Sequence, residues 1–145
     1  MRLRTLAGPA ALVAAAALLG PAAASAAPRA RILSLQVVRA GSGTPTPPPL
    51  LRRGHYEYRV VYRLAGDVLL RVARAASLSA PDGTLVARVQ PRPSVVDPGQ
   101  FTAQAPLRLR VSGPRGVYLL RYTVVVRDQR GVVARARRVV RLRVR

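Results

Sequence analysis

The sequence predicts an all-β fold, a single antiparallel β-sandwich of about seven strands preceded by a helical signal peptide. Three observations predict it. After the first 26 residues, apolar side chains recur at every second position, and no stretch keeps the 3.6-residue period of an amphipathic helix. The alternating runs are separated by Gly, Pro and Asp clusters at the intervals that short antiparallel strands require. The length, 145 residues, allows one domain, and with no cysteine in the chain that domain must be held by its apolar core alone.

Residues 1–26 read as the leader. Met1-Arg2-Leu3-Arg4 is a short basic start, Ala10 to Leu19 an apolar middle, and Ala24-Ser25-Ala26 the small-residue end at which a signal peptide is cut. Cleavage is expected after Ala26, with Ala27 as the competing position. A membrane anchor would want about 20 uninterrupted apolar residues, whereas Pro9 and Pro21 bracket a shorter core. No second apolar run follows. Residues 27–145 are therefore expected to be secreted, to the extracellular or periplasmic space, without a membrane span.

The strands follow in order. Ile32 to Arg39 is the first. Tyr56 to Leu64 is the most regular: Tyr56, Tyr58, Val60, Tyr62 and Leu64 share one face, and Glu57, Arg59, Val61 and Arg63 share the other. Such a segment buries its aromatic face and wets the charged one. Val68 to Ser79 and Thr84 to Val89 come next. In Leu107 to Val111, Leu107, Leu109 and Val111 alternate with Arg108 and Arg110. From Val117 to Arg127 the inward set is Tyr118, Leu120, Tyr122, Val124 and Val126. From Val132 to Val144 it is Val132, Ala134, Ala136, Val140, Leu142 and Val144, against outward Arg135, Arg137, Arg141, Arg143 and Arg145. Arg138 breaks that parity, so a bulge or bend is expected there to return its guanidinium to water.

The connections carry turn chemistry. Ala65-Gly66-Asp67, Pro81-Asp82-Gly83, Asp97-Pro98-Gly99 and Asp128-Gln129-Arg130-Gly131 supply fixed φ, glycine freedom or an aspartate side-chain bond. Four of the five acidic residues are placed in these turns. Gly41 to Pro49, with its Thr-Pro-Thr-Pro-Pro-Pro run, reads as an extended surface loop inside the domain.

The strand count, the Gly116-Val117-Tyr118-Leu119-Leu120 start of the penultimate strand and the Asp128 to Gly131 hairpin into the last strand resemble an immunoglobulin-like or fibronectin type III-like sandwich, over Ile32 to Val144. The resemblance implies that the Tyr118 hydroxyl bonds back to the backbone at the preceding corner, and that the third, sixth and seventh strands share a sheet. It implies no particular ligand, because the fold hosts adhesion, carbohydrate-binding, chaperone and structural modules alike. The disulfide and tryptophan of true immunoglobulin domains are absent.

Inventory narrows the chemistry. Beyond the leader there is no Met and no Cys, and His55 is the one histidine, so no soft-ligand or imidazole metal site and no cofactor site is expected. None of Ser34, Ser42, Ser77, Ser79, Ser94 and Ser112 lies in a nucleophile-elbow context, and His55 reads as a strand-end residue rather than a catalytic base. Glu57, two residues from Arg59, reads as a surface ion pair. An enzyme would need a polar cleft holding both His55 and a carboxylate.

What remains is charge. All 25 basic residues are arginine, against 5 acids, for a formal net charge of +20. Removing Arg2 and Arg4 with the leader leaves 23 arginines and a formal charge of +18, well above the magnitude of about 2–8 usual in small soluble domains. If the third, sixth and seventh strands share a sheet, its outer face gathers Arg71, Arg121, Arg127, Arg135, Arg137, Arg141 and Arg143. Planar, multidentate cations suit phosphate, sulfate or carboxylate polymers. The opposite sheet is basic too, through Arg59, Arg63, Arg108 and Arg110. The expected partner is an anionic cell-envelope polymer or another polyanion. With the tyrosines buried, no aromatic platform remains for stacked bases. The alternative is a structural or protein-interaction module of the cell surface, pairing through the open edge of the last strand, which ends at Arg145 with no tail to cover it.

Overall fold

The computed structural model describes residues 25–42, 50, 52–108 and 113–145. The leader falls almost wholly outside these residues, as do 43–49 of the expected loop and 109–112. Eight strands follow one another: β1 (Arg29–Arg39), β2 (His55–Ala65), β3 (Leu70–Ser79), β4 (Leu85–Val89), β5 (Ser94–Val96), β6 (Gly99–Arg108), β7 (Gly116–Arg127) and β8 (Val133–Val144). Among the described residues there is no helix. The strands make two antiparallel sheets, one ordered β1-β2-β6 and one ordered β4-β3-β7-β8, with β5 pairing to the same edge of β3 as β4. The expected grouping of the third strand with the last two is thus present.

Alternation decides which face is buried. In β2 the residues Tyr56, Tyr58, Val60, Tyr62 and Leu64 are all buried, and the residues between them are not. In β7 the same holds for Tyr118, Leu120, Tyr122, Val124 and Val126. These two central strands face each other across the interior. Tyr58 and Tyr62 meet Tyr122 with ring centroids 5.8 and 6.5 Å apart, and Tyr62 stacks on Phe101 of β6 at 5.5 Å. The aromatics therefore tie one sheet to the other, each pair adding about 0.5–1.5 kcal/mol to the area it buries. Burial pushes the Tyr58 and Tyr122 hydroxyls above the ordinary tyrosine pKa.

Two hairpin turns share one construction. Between β3 and β4, Ala80 N–H donates to Thr84 C=O (2.8 Å), Gly83 N–H donates to Ala80 C=O (2.9 Å), and Gly83 takes φ +86°. Between β7 and β8, Asp128 N–H donates to Val132 C=O (3.0 Å), Gly131 N–H donates to Asp128 C=O (3.1 Å), and Gly131 takes φ +84°. Only glycine enters that left-handed region without penalty. Asp82 accepts from Thr84 N–H at 2.9 Å. Asp128, 7 % exposed, accepts from the Arg130 and Val132 N–H groups and from the Arg130 guanidinium. Burial alone would raise the Asp128 pKa, but these bonds outweigh it and hold the carboxyl below its usual value.

The Tyr118 hydroxyl donates to the Pro114 carbonyl at 2.9 Å, the corner bond that the resemblance implies. Other expectations are corrected. Of the strand placed at Leu107 to Val111, residues 109–111 lie outside the described residues; Leu107 and Arg108 close β6, which begins well before the expected start, at Gly99, and β5 is an eighth strand with no sequence signal. Val132 is 43 % exposed and belongs to the turn, because its N–H is held by Asp128. No bulge interrupts β8 at Arg138, since the register runs unbroken from Gly116↔Val144 to Arg127↔Val133. The irregularities among the described strands lie elsewhere: a register shift in β4, between Leu78↔Ala87 and Ser79↔Leu85, and a bulge in β1 at Leu33, between the pairs Ile32↔Tyr62 and Ser34↔Val61. Arg138 keeps its inward parity beside Tyr122, leaves the interior between β8 and β1, and donates from Nη1 to the Leu33 carbonyl at 3.0 Å. The bulge strips that carbonyl of a ladder partner, and the arginine supplies one.

Candidate functional site

The outer face of the β4-β3-β7-β8 sheet is built by register. β3 sets Arg71 opposite Arg127, Ala73 opposite Val125, Ala75 opposite Thr123 and Ser77 opposite Arg121 on β7. β8 continues the rows with Arg135 beside Val125, Arg137 beside Thr123, Arg141 beside Leu119 and Arg143 beside Val117. All seven arginines singled out from the sequence therefore lie on one face, and all are exposed. An eighth was missed: Arg88 of β4 stands opposite Ser77 on the same face. Its strand slips register against β3 between Leu78 and Ser79 and shows no clean alternation of burial, so parity does not assign its sides.

Neighbouring strands are about 4.8 Å apart and same-face residues about 7 Å along a strand, so these guanidinium groups form a close array. No acid answers them among the described residues. The ion pairs there are Arg59 with Glu57 (2.6 Å) and Arg130 with Asp128 (2.9 Å), both elsewhere. Two shallow clefts lie end to end over β3 and β7. One, of about 350 Å³, is lined by Arg71, Ala73, Pro93, Val125 and Arg127. The other, of about 290 Å³, includes Ala75, Ser77, Arg88, Arg121 and Thr123 in its lining.

Arg74 is a second cation the sequence reading missed. It pairs in register with wholly buried Val124, so it points between the sheets. Nη1 donates to the Tyr62 hydroxyl at 3.4 Å and Nη2 to Ser94 Oγ at 3.3 Å, while Nε is buried with no partner.

The reverse sheet carries fewer cations. Arg59 and Arg63 lie outward on β2, joined by Arg31 opposite Arg63 on β1. Arg110 lies outside the described residues. Glu57 accepts from both Nε and Nη2 of Arg59, at 3.0 and 2.6 Å, so the expected ion pair is present and part of this charge is neutralised.

His55 is the exposed first residue of β2. It and Glu57 do line one cleft of about 350 Å³, with Ala40, Tyr56, Pro106 and Leu107. The Glu57 carboxylate there is already held by Arg59, and no serine, threonine or cysteine lines the cleft. Among the described residues, no three of His, Cys, Asp and Glu stand together as a metal site, and no helix is long and apolar enough to cross a membrane.

The edge of β8 is less open than the sequence suggests. Leu50 N–H donates to Arg143 C=O and Arg145 N–H to Leu50 C=O, both at 2.9 Å, and Arg52 N–H donates to Arg145 C=O at 3.2 Å. A parallel bridge of residue 50 to Val144 thus covers the C-terminal end of that edge.

No protein-family model matches the chain, and no curated protein matches it. Among solved structures it is similar to the C-terminal domain of wzt, at 16 % identity over 80 % of this chain and 73 % of that one, with a TM-score of 0.59. The putative ApaA protein of Bordetella pertussis aligns at 13 % identity over 81 % and 93 % of the two chains, with a TM-score of 0.44. A β-glucuronidase of Ruminococcus gnavus aligns at 15 % identity over 78 % of this chain but 16 % of its own, with a TM-score of 0.28. The first likeness is one of fold, two antiparallel sheets of this kind; the other two are too loose to carry an argument.

Proposed function

We propose that this is an exported, non-enzymatic binding module of immunoglobulin-like or fibronectin type III-like architecture that holds anionic cell-envelope polymers, or other polyanions, against its arginine face. The export reading rests on the leader pattern of residues 1–26. The architectural reading rests on the β1-β2-β6 and β4-β3-β7-β8 strand orders and on the Tyr118 corner bond.

The observation that carries the function is the array of eight exposed arginines on one sheet face with no carboxylate among them. Guanidinium is always charged and presents flat, forked donors to oxyanions. Among the described residues no carboxylate pairs with those donors, so an outside anion meets them free. Such binding is mostly electrostatic and weakens steeply as salt rises.

Chromatography on heparin resin tests the reading. The protein is expected to be retained at about 0.15 M salt, where the screening length is near 8 Å, and to elute only well above it. Elution at or below that point, together with a neutral control protein, overturns the proposal.

A further inference from the structure

We infer that the arginine face contains a discrete, framed subsite for a short stretch of a linear acidic polysaccharide, rather than a uniformly adhesive surface. The inference rests on the polyanion-binding reading and deepens it. Six of the eight arginines surround an uncharged floor. Arg71 and Arg127 close one end and Arg88 and Arg121 the other, with Arg135 and Arg137 along the β8 side. The floor is Ala73 and Ala75 of β3 beside Val125 and Thr123 of β7, all partly buried. The two clefts occupy this floor. Each is about the size at which small-ligand sites begin.

The dimensions select the ligand. From the Arg71–Arg127 pair to the Arg121 row is six residues, about 20 Å, and from β3 to β8 is two strand spacings, about 10 Å. A slender chain whose anionic groups project from uncharged rings fits this outline: its acid groups reach the rim while a ring rests on alanine and valine, within reach of the Thr123 hydroxyl. Duplex nucleic acid does not, since its major groove alone is about 12 Å across. Single strands gain much of their affinity from aromatic stacking, and no aromatic residue lies on this face.

Isothermal titration of the protein with size-fractionated heparin oligosaccharides, at one low salt concentration, tests the subsite. Affinity is expected to rise until the oligosaccharide spans about 20 Å and then level off. Two double variants remove equal charge from the same face. Arg71→Ser with Arg127→Ser opens the frame and is expected to weaken binding at least about tenfold more than Arg141→Ser with Arg143→Ser, because charge-assisted, well-aligned contacts exceed general attraction. Equal losses, with affinity still rising with length, overturn the framed subsite and leave polyanion adhesion standing. Duplex DNA that binds as tightly and responds to the same pair overturns the polysaccharide assignment. No binding to any of these probes overturns both readings.

Discussion

Arg74 marks the limit of reasoning from alternation. Arg71 and Arg74 lie three residues apart on one strand, so no single parity keeps both guanidinium groups in water. The sequence assigns Arg71 to the outside, and the structure then turns Arg74 inward, opposite Val124. Its two acceptors could not be foreseen, because Ser94 belongs to a strand without sequence signal and Tyr62 lies on the other sheet. Both contacts are at the long end of hydrogen bonding, and the buried Nε has none. Partial burial of a cation so poorly answered opposes folding. Arg74→Leu is therefore expected to melt at or above the wild-type temperature in a thermal scan. A loss of more than about 1.5 kcal/mol, the upper net value of an ordinary hydrogen bond, would show that the Tyr62 and Ser94 contacts outweigh the desolvation.

At the level of elements, strands that pair large apolar residues with charged ones were legible and strands of small residues were not. β2, β7 and β8 announce themselves through Tyr, Leu and Val set against Arg. β6 turns Phe101, Ala103, Ala105 and Leu107 toward the core, and two alanines give alternation little contrast, so only its Leu107-Arg108 end is marked in the sequence. Pro106 sits in β6 without harm because that strand is an edge, paired to β2 alone. The expected kink at Arg138 failed for a related reason. An edge strand can let a long side chain leave between the layers, so the backbone need not bend. Arg138→Ala should lower stability by about 0.5–1.5 kcal/mol by freeing the Leu33 carbonyl, whereas Arg137→Ala, one residue away and outward, should stay within about 0.5 kcal/mol. Denaturant unfolding of the two variants reads the difference. Indistinguishable midpoints would mean that water serves the Leu33 carbonyl equally well.

For the whole molecule, the seven arginines were found because one physical rule, burial of alternate residues, acts identically on β3, β7 and β8. The frame within that face was not found, because it depends on Arg88 and on strand register, which only the paired chain defines. Arg71 and Arg127 stand directly opposite on β3 and β7, and like charges set so oppose strand pairing. That repulsion opposes the pairing of β3 with β7, and an anion seated between the two guanidinium groups would offset it. Arg71→Ser should thus melt above its parent in dilute buffer, with the gap closing as added salt screens the repulsion. A variant that melts lower at every ionic strength would show that no such repulsion exists.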